Sequence, residues 1–103
     1  MMEDEQIYSI HASACKMFSH EVRLKIIDEL REGEKTVTEL ADSTGLNQPN
    51  ISQHLAKMRE KNFVETRQEG TQIYYSIANE KIFEAIDLMR EIIKEQMVDP
   101  SSL

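Results

Sequence analysis

Hydrophobic positions along the chain follow two periods. From Gln6 to Phe18 the apolar residues Ile7, Ile10, Ala14 and Phe18 fall at three- and four-residue spacing. That spacing predicts a helix, with His11 and Cys15 beside its stripe. A second helix is predicted over Glu21–Arg31, with Val22, Ile26 or Ile27, and Leu30 inward and Gly33 stopping it. Thr36-Val37 reads as a two-residue strand, and Thr38 as the N-cap of a short helix through Ser43 carrying Leu40 and Ala41. Gly45 makes a turn. The next helix is "NQPNISQHLAKMRE", Asn47–Glu60, with Pro49 in its first turn and Ile51, Leu55 and Met58 at i, i+4 and i+7. The period then changes. Phe63–Arg67 and Ile73–Ile77 are rich in β-branched and aromatic residues and flank Glu69-Gly70, which predicts a β-hairpin with Tyr74 and Tyr75 on opposite faces. Asn79 is the expected cap of a last helix, Glu80 to about Met97, along which Ile82, Ile86, Met89, Ile93 and Met97 share a side. Asp99-Pro100 is its expected end.

A short helix, a Gly-bearing turn and a second helix make a helix-turn-helix, and a hairpin directly after it makes the unit winged. The expected fold is therefore mainly α with a small β-hairpin, one winged helix-turn-helix domain over residues 1–103. Residues 38–61 form the helix-turn-helix and 63–77 the wing. The helices over 6–18 and 80–97 flank them. The last helix carries more apolar stripe than one small core needs. Pairing across a two-fold axis with Ile7, Ile10 and Phe18 would bury the excess, so Ile82, Ile86, Met89 and Ile93 are candidate dimer residues. The competing reading packs that stripe on its own domain.

The front of the Asn47–Glu60 helix is unusual. Gln48, Asn50, Ser52, Gln53 and His54 crowd its first two turns, where a solvated helix favours Glu and Lys. In a helix-turn-helix the second helix enters the major groove and its N-terminal residues meet base edges. Amides pair bidentately with adenine, and hydroxyls serve several bases. Lys57 and Lys61 follow one and two turns later, placed for phosphate. His54 reads equally as a hydrogen-bonding residue at the edge of the core. The bland alternative for the whole front is capping by Gln48 and Asn50 with the rest solvated.

Composition changes this picture little. The chain has 103 residues, no Trp and a net charge of −7, which taken alone opposes a polyanion partner. The acid lies at the ends. Residues 45–75 hold four bases (Lys57, Arg59, Lys61, Arg67) against three acids (Glu60, Glu65, Glu69), a weak basic footprint. One cysteine excludes an internal disulfide. No apolar run approaches membrane-spanning length, and "MMEDEQ" is acidic where a signal peptide would be basic, so a soluble, cytoplasmic protein is expected.

The segments "MFSHEVRLKIIDEL" and "VTELADSTGLNQPNISQHLAKMREKNFVETRQEGTQIYYSI" together resemble the ArsR/SmtB family of winged-helix repressors, from about Met17 to Ile77. The resemblance implies a homodimer joined through its first and last helices. It implies binding to an inverted repeat near the protein's own promoter, with release on sensing a signal. It assigns Gln48, Asn50, Ser52 and Gln53 to bases or neighbouring phosphates, with His54 close by and Arg67–Gln72 as the wing. Thr71 stands where the family usually carries a base after "EG", which leaves Arg67, Gln68 and Gln72 to make the wing contacts.

The family's metal-sensing sites are not matched. "VTELADST" has no sulfur or imidazole, and "EKIFEAIDLMREIIKEQ" offers carboxylates without histidine, a poor donor set for zinc, copper or nickel. No cofactor is expected. His11 and Cys15 stand at i and i+4, a ligand-like spacing and the one candidate sensor pair. The default expectation for Cys15 is inert packing as a small hydrophobe. Thiol sensing and metal binding are the alternatives. Catalysis is not expected, because no nucleophile–base order and no phosphate loop occur. The rival functions are a winged-helix protein-interaction module without DNA binding, a Cys15-based redox-responsive repressor, and a DNA binder with no effector.

Overall fold

The computed structural model describes residues 3–97. Helix α1 spans Asp4–Met17, α2 Glu21–Glu29, α3 Val37–Thr44, α4 Gln48–Glu60 and α5 Lys81–Gln96, while β1, Val64–Glu69, pairs with β2, Gln72–Ile77. A single 3₁₀ turn, Leu30–Glu32, extends α2. It ends at Gly33, whose φ of 123° a side chain would strain. The expected winged helix-turn-helix order is the observed one.

Local chemistry explains most boundaries. At α2 the ring Nδ1 of His20 accepts the Val22 N–H at 3.2 Å. At α3 the cap is Thr36, not Thr38 as expected. Thr36 Oγ1 accepts the Glu39 N–H at 3.1 Å, and Glu39 Oε1 accepts the Thr36 N–H at 3.0 Å. This reciprocal capping box satisfies two orphan donors and starts the helix at Val37. It also removes Thr36-Val37 from any strand. The bridge forms one residue earlier, where Lys35 and Tyr75 exchange backbone hydrogen bonds of 2.9 and 2.8 Å. Gly45, with φ 75°, closes α3 in the left-handed conformation. Asn47 Oδ1 then accepts the Asn50 N–H at 2.8 Å and opens α4, so Asn47 is the cap rather than Gln48 or Asn50. At α5 Asn79 Oδ1 accepts the Lys81 N–H at 2.9 Å, and the helix starts at Lys81. The expected stop at Asp99-Pro100 lies outside the described residues.

The hairpin pairs Val64 with Ile77 through Glu69 with Gln72 around the two-residue loop Gly70-Thr71. Gly70 sits at φ 60°, as the first central position of such a loop requires. Tyr75 packs against the core, while the Tyr74 ring lies 4.6 Å beneath the Arg67 guanidinium.

The core lies between α2, α3, α4 and the wing. Ile26, Ile27, Leu40, Ile51, Leu55 and Met58 are completely buried, joined by Met17, Leu30, Ala41, Val64 and Ile86. Both Ile26 and Ile27 are inside. Phe18 meets Phe63 edge-on at 5.0 Å. Of the stripe on α5, Ile86 is buried in its own chain's core and Ile82 is half-buried, whereas Met89 and Ile93 are exposed with Leu88 and Ile92 beside them. On α1, Ile7 and Ile10 are exposed as well. Two bidentate ion pairs fix the near half of α5 to α2: Arg90 to Asp28 and Arg31 to Asp87. Burial pushes the Asp28 carboxyl up, but hydrogen bonds from Arg90 and Arg31 outweigh it and hold the group below the ordinary range.

Candidate nucleic-acid interface

Helix α4 is amphipathic in an uncommon way. Ile51, Leu55 and Met58 face the core with no exposed surface, which fixes the rotation of the helix. That rotation turns Ser52, Gln53, Ala56 and Lys57 outward. Ser52 and Gln53 make no side-chain hydrogen bond among the described residues, so a donor and acceptor set stands ready on the front of the helix. Gln48 is exposed and its amide donates to Thr38 Oγ1 at 3.3 Å, joining α4 to α3 across the turn. Asn50 is half-buried. Lys57 and Lys61 are both exposed, the former on the outer side of α4 and the latter just past its end.

His54 faces α2. Its Nδ1 accepts from Arg23 Nε at 3.1 Å, and its ring lies 4.3 Å from that of His20. This gives it a hydrogen-bonding place at the edge of the core, against α2. Desolvation lowers its pKa first, and the neighbouring His20, Arg23 and Lys57 lower it further. Arg23 also donates to the Lys16 carbonyl at 3.4 Å, so α1, α2 and α4 meet at this point. Sequence reasoning missed Arg23, because a pairing across 31 residues leaves no local pattern.

The wing is less cationic than its sequence suggests. Arg67 donates to both carboxylate oxygens of Glu34 and to Glu69 Oε2, a carboxylate pair that raises its pKa, and it rests on Tyr74. Gln68 donates to the Gly70 carbonyl at 3.3 Å, and Gln72 is exposed at the tip. Glu34 is a second residue missed, for the same reason of distance in the chain.

Cys15 is exposed, not packed away as expected. The cause is that the chain itself covers little of α1 apart from Met17. Cys15 and His11 line an apolar groove of about 510 Å³ between α1 and α5, with Phe18, Leu24, Met89 and Ile93. Among the described residues no three His, Cys, Asp or Glu side chains gather as a metal site.

A tightly seated second helix, a polar front and a two-stranded wing define a winged helix-turn-helix transcriptional regulator. Comparison with known proteins narrows the class. The profile of the bacterial regulatory protein arsR family matches residues 20–66. The chain is 33% identical over 99 residues to Rv0081 of Mycobacterium tuberculosis, described as an HTH-type transcriptional regulator, covering 95% of this chain and 87% of that one. The crystal structure of Rv0081 superposes with a TM-score of 0.82 over 95% of this chain and 97% of that one, at 30% identity. The biofilm growth-associated repressor of Xylella fastidiosa is 38% identical over 85 residues, 82% of this chain and 75% of that protein. A homodimeric winged helix-turn-helix DNA-binding domain from Mycobacterium bovis, solved in solution, matches with a TM-score of 0.77 and 31% identity over 93% of this chain and 91% of that one. The chain belongs to the ArsR family of bacterial regulatory proteins. It is a DNA-binding transcriptional regulator, and its relatives are regulators rather than enzymes.

Proposed function

We propose that the protein is a homodimeric repressor that binds an inverted-repeat operator and acts in the cytoplasm. The observation that carries this reading is the rotation of α4. Burial of Ile51, Leu55 and Met58 leaves Ser52 and Gln53 presented, unpartnered, at the front of the helix. Ser52 and Gln53 read bases. Gln48 and Asn50 set the helix start against the groove, Lys57 and Lys61 meet phosphate, and Gln72 with Arg67 forms the wing contact. Dimerisation is supported by the exposed stripe of Ile7, Ile10, Met89 and Ile93, and by the homodimeric relative from Mycobacterium bovis. A two-fold protein suits two half-sites about one helical turn apart. In the dimer Ile82, Ile86 and Phe18 back the interface from the core side.

Binding to a duplex from upstream of the protein's own gene tests the reading. Gln53→Ala is expected to weaken that complex by about 1–3 kcal/mol while leaving random DNA unaffected. Equal loss on both duplexes would remove Gln53 from base reading. A second reading adds thiol control. It rests on the place of Cys15 in the α1–α5 groove, exposed in the single chain and beside the proposed dimer contact, and it predicts operator affinity that changes with a thiol oxidant in the wild type but not in Cys15→Ser.

A further inference from the structure

Among the described residues four cations are matched by carboxylates: Arg31, Lys35, Arg67 and Arg90 each form an ion pair. Arg23 is different. Its two hydrogen-bond partners among the described residues are a neutral ring nitrogen of His54 and the backbone carbonyl of Lys16. Neither offsets its charge. Besides desolvation, the groups that lower the His54 pKa are His20 at the cap of α2, Arg23 within α2 and Lys57 of α4. Neither Arg23 nor Lys57 forms an ion pair among the described residues, although the chain carries a net charge of −7. A guanidinium without a paired carboxylate attracts an anion.

The donors are arranged for one. Because His54 Nδ1 accepts from Arg23, the neutral ring carries its proton on Nε2 and keeps a second donor. The bond to Nε also fixes the plane of the guanidinium, which suits a tetrahedral oxyanion. The corner sits on the flank of α4, between the base-reading face and the start of α2. On a duplex, phosphates flank base edges in the same way, and they position a protein without reading sequence.

We propose that Arg23 and His54, with Lys57 beside them, grip a backbone phosphate of double-stranded DNA, one contact in each half-site. The proposal rests on the reading of α4 as the groove helix, and what it adds to the contacts of α4 and the wing is Arg23 of α2, joined to His54 of α4. Arg23 and His54 then serve affinity, not base choice.

The test is the salt dependence of binding by the wild-type dimer and Arg23→Gln, on the operator and on a random duplex of equal length. Arg23→Gln is expected to reduce the slope of log K against log salt by about 0.9 per protomer, with the same fold loss on both duplexes. An unchanged slope overturns the proposal. Should Arg23→Gln lose its fold by circular dichroism, the His54 ring signals of the wild-type protein decide. They are expected to shift on adding DNA, and their constancy overturns the contact. An equal shift with inorganic phosphate at matched ionic strength marks a free-anion site and overturns the assignment to DNA. A wild type that does not discriminate operator from random DNA sinks the base-reading of α4 alone. Loss of slope in Arg23→Gln on random DNA still supports the phosphate contact in that case.

Discussion

The helix-turn-helix body and the two flanking helices solve burial differently. In the body, Ile26, Ile27, Leu40, Ile51, Leu55 and Met58 are each at 0% exposure. The flanks leave Ile10 at 50%, Met89 at 56% and Leu88 at 58%. Both regions use the same aliphatic residues at the same helical spacing. The difference lies in what is opposite them. The body finds its complement within the chain, so the attitude of the reading helix is set by one protomer alone. The flanks present a surface that one chain does not cover, which in the proposed dimer ties the spacing of the two α4 helices to a second copy. In that proposed dimer the orientation of each α4 and the distance between the two copies are held by separate parts of the molecule.

Breaking the body should cost most. Leu55→Ala removes a fully buried side chain behind the reading face, and a loss of about 2–5 kcal/mol is expected. Against a total of roughly 5–15 kcal/mol for a domain of this kind, that moves the urea midpoint far and takes DNA binding with it. A loss below about 1 kcal/mol would mean that this side collapses easily and does not hold the helix rigidly.

Met89→Glu probes the other region. Its side chain is exposed in one chain but would be buried, unpaired and charged, twice over at a two-fold contact. Self-association should weaken on the order of a hundredfold or more, a change of several kcal/mol. Helix content and the urea midpoint of the separated chain should stay close to wild type. Sedimentation checks the first outcome and circular dichroism the second. A dimer that survives Met89→Glu would place the interface elsewhere and end the comparison as drawn.

The same contrast explains what was legible in the sequence. Periodicity identified the inward residues of α4 because Ile51, Leu55 and Met58 answer to one helix alone. The hairpin and its loop were legible for a similar reason, since Glu69-Gly70 and the β-branched runs act locally. Thr36 was misread although its signature, Thr-x-x-Glu to Glu39, stood in the chain. Val37 beside it suggested a strand, and the reciprocal cap decides the matter. On α5 the stripe was visible, but a stripe names a face and not its cover. Ile86 is buried by its own chain and Met89 is not, and periodicity along α5 alone does not mark that boundary. The site divided in the same way. Ser52 and Gln53 follow from the rotation of α4. Arg67 and His54 instead follow from partners 33 and 31 residues away, Glu34 and Arg23.

The smallest expected effect sits at the seam between the two regions, where Arg23 links His54 of α4 to the Lys16 carbonyl at the end of α1. Desolvation and the nearby His20, Arg23 and Lys57 depress the folded-state pKa of His54 below its ordinary 6.5. The folded chain therefore binds fewer protons at this ring than the unfolded chain does. Stability rises with pH wherever the unfolded state binds more protons, so this contribution is fully present above 6.5 and lost as pH falls through the folded-state value. The structural reason is direct, because a proton on Nδ1 removes the acceptor that Arg23 uses. Carboxylates held low by ion pairs, such as Asp28 and Glu29, act only below their own ordinary values of 3.8 and 4.5, which leaves a clear window above them. Urea midpoints of the wild type should fall on moving down through that window, and His54→Gln should flatten the profile. A wild-type profile already flat between 6.5 and 4.5 would mean that the ring keeps its solvent and that the body and the flanks meet there without a proton-sensitive joint.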